Sequence, residues 1–448
     1  MSTPVFALLD GNNFYASCER VFDPKLMNRP LVVLSNNDGC AIARSDEAKA
    51  LGIKMGAPWF KIRHLEHEAG LVALSANFEL YGDMSQRMMT LAETLGCGQE
   101  IYSIDECFLD MTGVAHATER ARQKQTEVLR GIGIATCIGM GASKTLAKLA
   151  NHIAKSADRK PGSYPAQLAK VCNLVEMTEQ QRDWLFKRTN VSEVWGVGPR
   201  IAKQLQAGGV RTVWDLKRLD PATVKRSWSV VLERTVRELN GQACLSLEAQ
   251  AAPKQAIACT RSFGAKVQAL RALQEAVTEF AGRAAQKLRA QHSHARAVLV
   301  FIRTSPFRPH DAQYAQSITV PLRLPSSDTL RITQAALQGL QAIFRPGFNY
   351  AKAGVKLLDL QAQSAVQDEL AWGERAMQTE ARNSRLMVAM DAVNDRYGRG
   401  TLKLGSALVV SERMDATEQA RRPPGWVMKQ GRRSPRYTTR MAELLEVG

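Results

Sequence analysis

Two adjacent acids in apolar company constrain this chain more than any other feature. Residues 101–110 read Ile-Tyr-Ser-Ile-Asp-Glu-Cys-Phe-Leu-Asp, so Asp105 and Glu106 stand among β-forming side chains. The pattern predicts a strand edge or a tight strand-to-strand turn. Alternation along a strand would send the two side chains to opposite faces. Both serve one site only if the backbone turns or bulges between them. Two carboxylates about 4 Å apart repel by roughly 4 kcal/mol at an effective dielectric near 20. A proton or a cation must therefore sit between such groups, unless the pair is simply a solvated turn.

The start of the chain favours the cation. Val5-Phe6-Ala7-Leu8-Leu9 is a continuous apolar run, readable as a strand buried on both faces, and it ends abruptly in Asp10. A helical pattern follows from Asn13 to Glu19. An acid at the carboxyl end of a central strand is where α/β sheets place ligand groups, although a helix N-cap would look similar. Asp10, Asp105 and Glu106 together form an all-oxygen set suited to Mg²⁺ rather than zinc.

Charge points to the partner. The 448 residues carry a formal net charge of +17, which argues for a polyanion such as nucleic acid, and a chain this long is expected to divide into two to four domains. The excess is downstream: residues 1–100 hold nine Lys/Arg against twelve Asp/Glu, residues 251–350 thirteen against four. The eight cysteines show no C-x-x-C pair and no zinc spacing, and read as reduced, mostly buried thiols of a cytoplasmic protein. No apolar run approaches membrane-spanning length, and Asp10 interrupts the first one too early for a signal peptide. His64/His67 and His292/His294 lack a metal partner set and read as structural.

Further elements follow from local pattern. Leu31–Leu34 reads as a strand, Asn36–Gly39 as a turn, Asp46 to Leu51 as a short helix, and Ile132 to Gly141 as another strand. Ser143 caps a helix in which Leu146, Leu149, Ala150 and Ile153 keep helical spacing. Its Lys144, Lys148 and Lys155 make it basic; the first two rank below the third, because charge runs on helices are usually solvated. Val194-Trp195-Gly196-Val197-Gly198-Pro199-Arg200-Ile201-Ala202-Lys203 places a Gly-x-Gly turn at the opening of a helix. Such a turn presents free backbone N–H groups to an anion, and reads as a helix-hairpin-helix gripping DNA phosphates through Gly196, Gly198, Arg200 and Lys203. Between 251 and 350, strand-like runs (297–303, 317–322) alternate with helix-like ones (270–290, 332–344), as in a small sheet with helices on one face. If six of its charges neutralise phosphates, log affinity falls by roughly five per decade of salt.

The stretches Leu9-Asp10-Gly11-Asn12-Asn13-Phe14-Tyr15-Ala16-Ser17-Cys18-Glu19 and Tyr102-Ser103-Ile104-Asp105-Glu106 resemble the two acidic motifs of the Y-family (translesion) DNA polymerases. Val33 to Arg44 and Lys54 to Phe60 narrow the resemblance to the UmuC-type catalytic subunits of bacterial DNA polymerase V, and it runs over nearly the whole chain. It implies an α/β (α+β) right hand: palm over 1–20 and 75–170, inserted fingers over 21–74, helical thumb over 171–245, α/β little finger over 250–360. A linker and a small C-terminal domain would fill 361–448. It implies error-prone, template-directed addition of dNTP to a primer 3′-hydroxyl in the DNA-damage (SOS) response. Two Mg²⁺ ions would sit on Asp10, Asp105 and Glu106, with the Gly11 carbonyl completing the second site.

By the same resemblance Tyr15 is a steric gate against the 2′-hydroxyl, and Phe14, Tyr15, Lys49 and Lys155 bind the nucleotide, Lys155 at the β/γ-phosphates. Asp46 stands where the family often has a phosphate-contacting Tyr. Cys40, Ala41 and Ile42 either line the roof over the nascent base pair or are ordinary packing. Gln367, Leu370 and Trp372 form an imperfect sliding-clamp peptide, and the resemblance adds a processed UmuD dimer and a RecA filament as partners. Residues 421–440 carry seven Lys/Arg and no acid, so that end is expected to meet DNA or an acidic partner. The rival readings are a polymerase-IV-like enzyme independent of UmuD, a nucleotidyl cyclase, for which a duplex grip has no use, and a DNA-binding scaffold whose acids are relics.

Overall fold

Strand β1 (Phe6–Gly11) is buried along its whole length because it is the middle of a five-stranded sheet. In chain order the other strands of unit one are β2 (Leu31–Leu34), β3 (Ala41–Arg44), β4 (Val72–Ser75), β5 (Gln99–Ile101), β6 (Glu106–Asp110), β7 (Thr136–Gly141) and β8 (Val171–Asn173). The palm sheet runs β5-β6-β1-β7-β8, with β1 antiparallel to both neighbours. The computed structural model describes residues 3–250, 252–365, 374–398, 400–405 and 426–444. They fall into two compact units, Met1–Ala251 with Gly431–Gly448, and Ala252–Gln430.

Period-two alternation sorts the β1 side chains. Ala7 and Leu9 enter a core with Phe14 and Cys18 of α1 (Phe14–Phe22) and with Leu80, Met84 and Met88 of a long helix, Phe78–Glu93. Phe6 and Leu8 meet Phe108 and Ala147 on the other face, covered by the helix Lys144–Arg159. A run apolar at every position is the signature of such a two-faced burial. The strand expected over 132–141 begins only at Thr136, because Ile132 still closes the helix Ala117–Ile132 before Gly133 turns left-handed at φ +72°.

The fingers form a separate three-stranded sheet, β3-β2-β4, inserted between α1 and the Phe78–Glu93 helix. The thumb is helical: Glu179–Arg188, Pro199–Ala207, Val213–Lys217, Pro221–Ser227 and Val230–Leu239 share a core with Leu146, Leu149 and Ile153 of the palm helix. Thr178, Thr212, Asp220 and Ser229 cap four of these helices with their side chains.

Unit two is an antiparallel sheet, β11-β10-β12-β9, built from β9 (Ile257–Val267), β10 (Ser293–Thr304), β11 (Ala315–Ser326) and β12 (Tyr350–Ala362). Helices Leu270–Ala290 and Thr329–Ile343 cover one face. Arg303 pairs across the strands with Lys352, and Leu299 with Lys356, on the face the helices leave open. The stretch expected as connector and small terminal domain is divided. The helix Glu374–Tyr397 lies on unit two, where Asp391 holds Arg289 at 2.6 Å, whereas 431–444 belong to unit one.

Helix Lys144–Arg159 lies against β7 without room for a methyl group. A Cβ at Gly139 would stand 2.0 Å from the Asn151 nitrogen and 2.4 Å from the Ala147 oxygen, both backbone atoms. Gly139→Ala is expected to destabilise unit one by about 1–3 kcal/mol or more in denaturant unfolding, since backbone cannot yield as a side chain can. An unchanged midpoint would contradict the close approach.

Candidate active site

The register of β1 on β6 builds the site. Leu8 lies opposite Phe108 and Asp10 opposite Glu106, so both carboxylates share the face under helix Lys144–Arg159. Asp105 lies outside the strand, in the bend just before β6; its carbonyl accepts from Gly11 N–H at 2.8 Å. The Ser103 hydroxyl organises that bend: it donates to Asp105 Oδ1 at 2.6 Å and accepts from the Glu106 N–H at 3.1 Å. The turn expected at the two acids is thus real: Asp105 is its last residue and Glu106 the first of β6.

Asp10 is 5 % exposed, and its side chain reaches that of Glu106. Burial pushes the Asp10 carboxyl up to about 7; Lys155 opposes this and the Glu106 carboxylate adds to it. Glu106 moves the other way: burial works against its charge, but hydrogen bonds from Asp10 and Lys148 and the two ammonium groups outweigh it. One proton shared by the pair therefore resides on Asp10. Lys155 Nζ stands 2.5 Å from Asp10 Oδ1 and Lys148 Nζ 2.9 Å from Glu106 Oε2. Lys144 meets Glu100 on β5.

These lysines make one stripe down one helix, laid over acids of three strands. The solvated face expected for Lys144 and Lys148 is not found, because both side chains are turned inward onto carboxylates. Lys148 also stands 4.4 Å from the Tyr102 ring centre and 5.2 Å from that of Trp195, just before the thumb turn.

Asp105 faces the α1 side, where its charge is felt by Tyr15. Among the described residues no three His, Cys, Asp or Glu side chains are gathered closely enough to hold a metal ion. Asp10 and Glu106 meet, and Asp105 stands beside them on the adjoining bend. The donor chemistry fits a divalent cation all the same: oxygens only, one acid buried, and charges balanced by a proton and by ammonium groups that can leave.

The nucleotide-side residues separate. The Tyr15 ring stacks on Tyr81 with centres 4.5 Å apart and planes 15° from parallel, and burial raises its phenol. Phe14, expected beside it on the nucleotide, is 3 % exposed and sits in the palm core under Gly11, so its ring does not face the open site. Lys49 donates to Asn13 Oδ1 and, at 2.9 Å, to Asp46 Oδ1. Arg159, which sequence reasoning missed, lies 3.7 Å from Asp46 and 3.4 Å from Asn13. Its signal was its place four residues beyond Lys155, on the same face of the helix.

At the thumb turn Gly196 adopts φ +89°, and Gly198 begins the helix Pro199–Ala207 with no side-chain cap. Arg200 and Lys203 are exposed there. Gln367, Leu370 and Trp372 lie outside the described residues. Four of the eight cysteines are buried and Cys97 is exposed; all are free thiols. No helix among the described residues is long and apolar enough to cross a membrane.

Comparison with known proteins gives this geometry its class. Residues 9–152 match the impB/mucB/samB family, 254–370 match that family's C-terminal domain, and 384–447 match a domain of unknown function. The chain is 43% identical to Protein UmuC of Salmonella typhimurium, over 99% of this chain and 100% of that one. It is 40% identical to Protein SamB of the same organism, over 98% and 99%. DNA polymerase IV 1 of Bacillus subtilis is 24% identical over 90% of this chain and 93% of its own. Among solved structures, the Y-family DNA polymerase chimera Dbh-Dpo4(243-245)-Dbh shares the fold, with a TM-score of 0.63 at 18% identity, covering 80% of this chain and 99% of that one. The chain belongs to the impB/mucB/samB family, the UmuC-type branch of the error-prone, translesion Y-family DNA polymerases.

The buried proton on Asp10 has a measurable consequence in chelator. Its folded pKa lies above the ordinary value, so the stability it contributes is complete below pH 3.8 and is lost as pH rises through about 7. Asp10→Asn is expected to match the parent's melting temperature near pH 4 and to exceed it by several degrees near pH 8. Parallel pH profiles would contradict the assignment.

Proposed function

We propose that this chain extends a primer 3′-hydroxyl with dNTP by a two-Mg²⁺ mechanism, with Asp10, Asp105, Glu106 and the Gly11 carbonyl as the metal-holding set. The observation that carries the reading is the Asp10–Glu106 pair, one acid buried and the other part-buried, neutralised by a proton and two lysines at the end of the central strand. Bound there, Mg²⁺ supplies acidification of the 3′-hydroxyl and neutralisation of the triphosphate and departing pyrophosphate.

The chain's own groups do the remaining work. With Mg²⁺ bound, Asp10 would serve as a carboxylate and Lys155 would be free for the β/γ-phosphates. Lys49 and Arg159, held by Asp46 and Asn13, would be the further cations for the nucleotide. Tyr15, stacked on Tyr81, offers its ring edge as the gate against the 2′-hydroxyl. The N–H groups after Gly196 and Gly198, with Arg200 and Lys203, grip duplex phosphates without reading sequence. In unit two, Arg303, Lys352 and Lys356 on the open face of the sheet offer a basic surface of their own for phosphates.

The palm takes 1–20 and 75–170, the fingers 21–74, the thumb 171–245 and the little finger 250–360. The protein would work in the cytoplasm on primer-template DNA, away from membranes. A processed UmuD dimer, a RecA filament and the sliding clamp, through Gln367, Leu370 and Trp372, are its proposed partners.

Asp105→Ala is expected to slow Mg²⁺-dependent primer extension by roughly two to three orders of magnitude while primer-template affinity is kept. Synthesis near the parent rate would remove Asp105 from the metal set. Tyr15→Ala is expected to lower the ratio of kcat/KM for dNTP over rNTP by about tenfold or more. An unchanged ratio would take Tyr15 out of the gate role.

A further inference from the structure

Residues 431–444 carry an excess of arginine, and three of these arginines are paired with acids of the same unit. Arg432 pairs with Glu66 and lies 5.0 Å from the Trp59 ring centre, Arg436 pairs with Glu79 at 2.7 Å, and Arg440 with Glu443 at 2.8 Å. Acids of the same unit hold these three, so part of the charge expected to meet DNA or an acidic partner is engaged within the protein itself.

The segment is a strap across fingers and palm. Ser75 N–H donates to the Arg432 carbonyl at 3.0 Å, and Arg433 bridges Ser75 in parallel, so the strap continues the fingers sheet past β4. Gly431 N–H donates to Asp38 at 3.2 Å. Asn77 Nδ2 reaches the Ser434 hydroxyl at 3.0 Å and the Pro435 carbonyl at 2.9 Å. Tyr437 is buried in the palm core and stacks on Phe22, centres 4.6 Å apart and planes 10° from parallel.

These contacts converge on one buried acid that the chemistry does not use. Glu19, on the inner face of α1, is 1 % exposed and accepts from two hydroxyls: Tyr81 at 2.6 Å and Ser434 at 3.1 Å. Tyr81 is fully buried, and its ring is the one on which Tyr15 stacks. A buried carboxylate is tolerable only while its donors are present. A stacked ring fixes its neighbour only if it is itself fixed, and Tyr81 is fixed at its hydroxyl by Glu19. The path from strap to nucleotide site is therefore four side chains long: Ser434, Glu19, Tyr81, Tyr15.

We propose that residues 431–444 act as an intramolecular brace for sugar selection, Ser434 serving through Glu19 and Tyr81 as a positioning residue that sets the seat of Tyr15. This rests on the reading of Tyr15 as the gate. It gives part of a region whose family model is a domain of unknown function a role in choosing the nucleotide.

The test is single-nucleotide primer extension with the full chain, comparing kcat/KM for dNTP and rNTP. Ser434→Ala is expected to lower the dNTP/rNTP ratio by about three- to tenfold, with dNTP kcat near the parent value and Ser434→Thr restoring the ratio. Tyr15→Ala combined with Ser434→Ala is expected to be no less selective than Tyr15→Ala alone, because the brace acts only through the gate. Tyr81→Phe, which keeps the ring and removes the hydroxyl, carries the same expectation should Ser434→Ala be too unstable to assay. Unchanged ratios in Ser434→Ala and Tyr81→Phe beside a lowered ratio in Tyr15→Ala would overturn the brace and leave the gate standing. A fall in dNTP kcat and melting temperature without a change in ratio would reduce the strap to a structural part. An unchanged ratio in Tyr15→Ala would overturn the gate, and the brace with it.

Discussion

Asp10 and Glu106 repel each other, and the rest of unit one is arranged around that repulsion. Backbone pairing of β1 with β6 sets the two carboxylates side by side, Asp10 buried and Glu106 part-buried. The metal-free protein meets the cost with one proton on Asp10 and two lysines from the overlying helix. A site so arranged has its charge balanced by groups that can be exchanged, which is what a catalytic centre for phosphoryl transfer requires.

The helix Lys144–Arg159 is the second half of that arrangement. Asn151 on it donates to the Cys137 carbonyl at 2.7 Å, and Gly139 and Gly141 let its backbone come down onto β7. That close packing aims Lys144, Lys148 and Lys155 at three neighbouring strands. Lys148 adds a link outward, since its ammonium lies between Glu106 and the Trp195 ring ahead of the thumb turn. The proposed catalytic face and the proposed DNA-gripping turn thus share one side chain.

Much of this was legible in the sequence, for identifiable reasons. A buried apolar run ending in Asp10 could only be a central strand, and Ser143 followed by helical spacing marked the helix that covers it. The adjacent acids announced a charge to be balanced, but the pair that meets in the structure is Asp10 with Glu106, and a proton and two lysine ammonium groups balance it. What was illegible depends on contacts distant in the chain. Nothing local says that Ser434 reaches Glu19 or that Tyr437 stacks on Phe22, more than four hundred residues away in each case. Phe14 and Tyr15 look alike in the motif, yet one helical step sends the first into the core and leaves the second half-buried. Lys148 looked like a surface charge because a sequence does not show which face of a basic helix lies on an acidic sheet.

The strap bears on selectivity if Tyr15 is the proposed gate. A gate residue is usually considered with the nucleotide in front of it, but Tyr15 has a second ring, a buried acid and a distant serine behind it. Support of that kind gives a site its precision. The central claim remains that the acids at the end of β1 and β6 form a divalent-cation site. Titration of the full chain with Mn²⁺ in the presence of dNTP, followed by electron paramagnetic resonance, tests it most directly. Saturable binding of two ions per chain, lost in Asp10→Asn, is the predicted result; binding that Asp10→Asn leaves unchanged would contradict it.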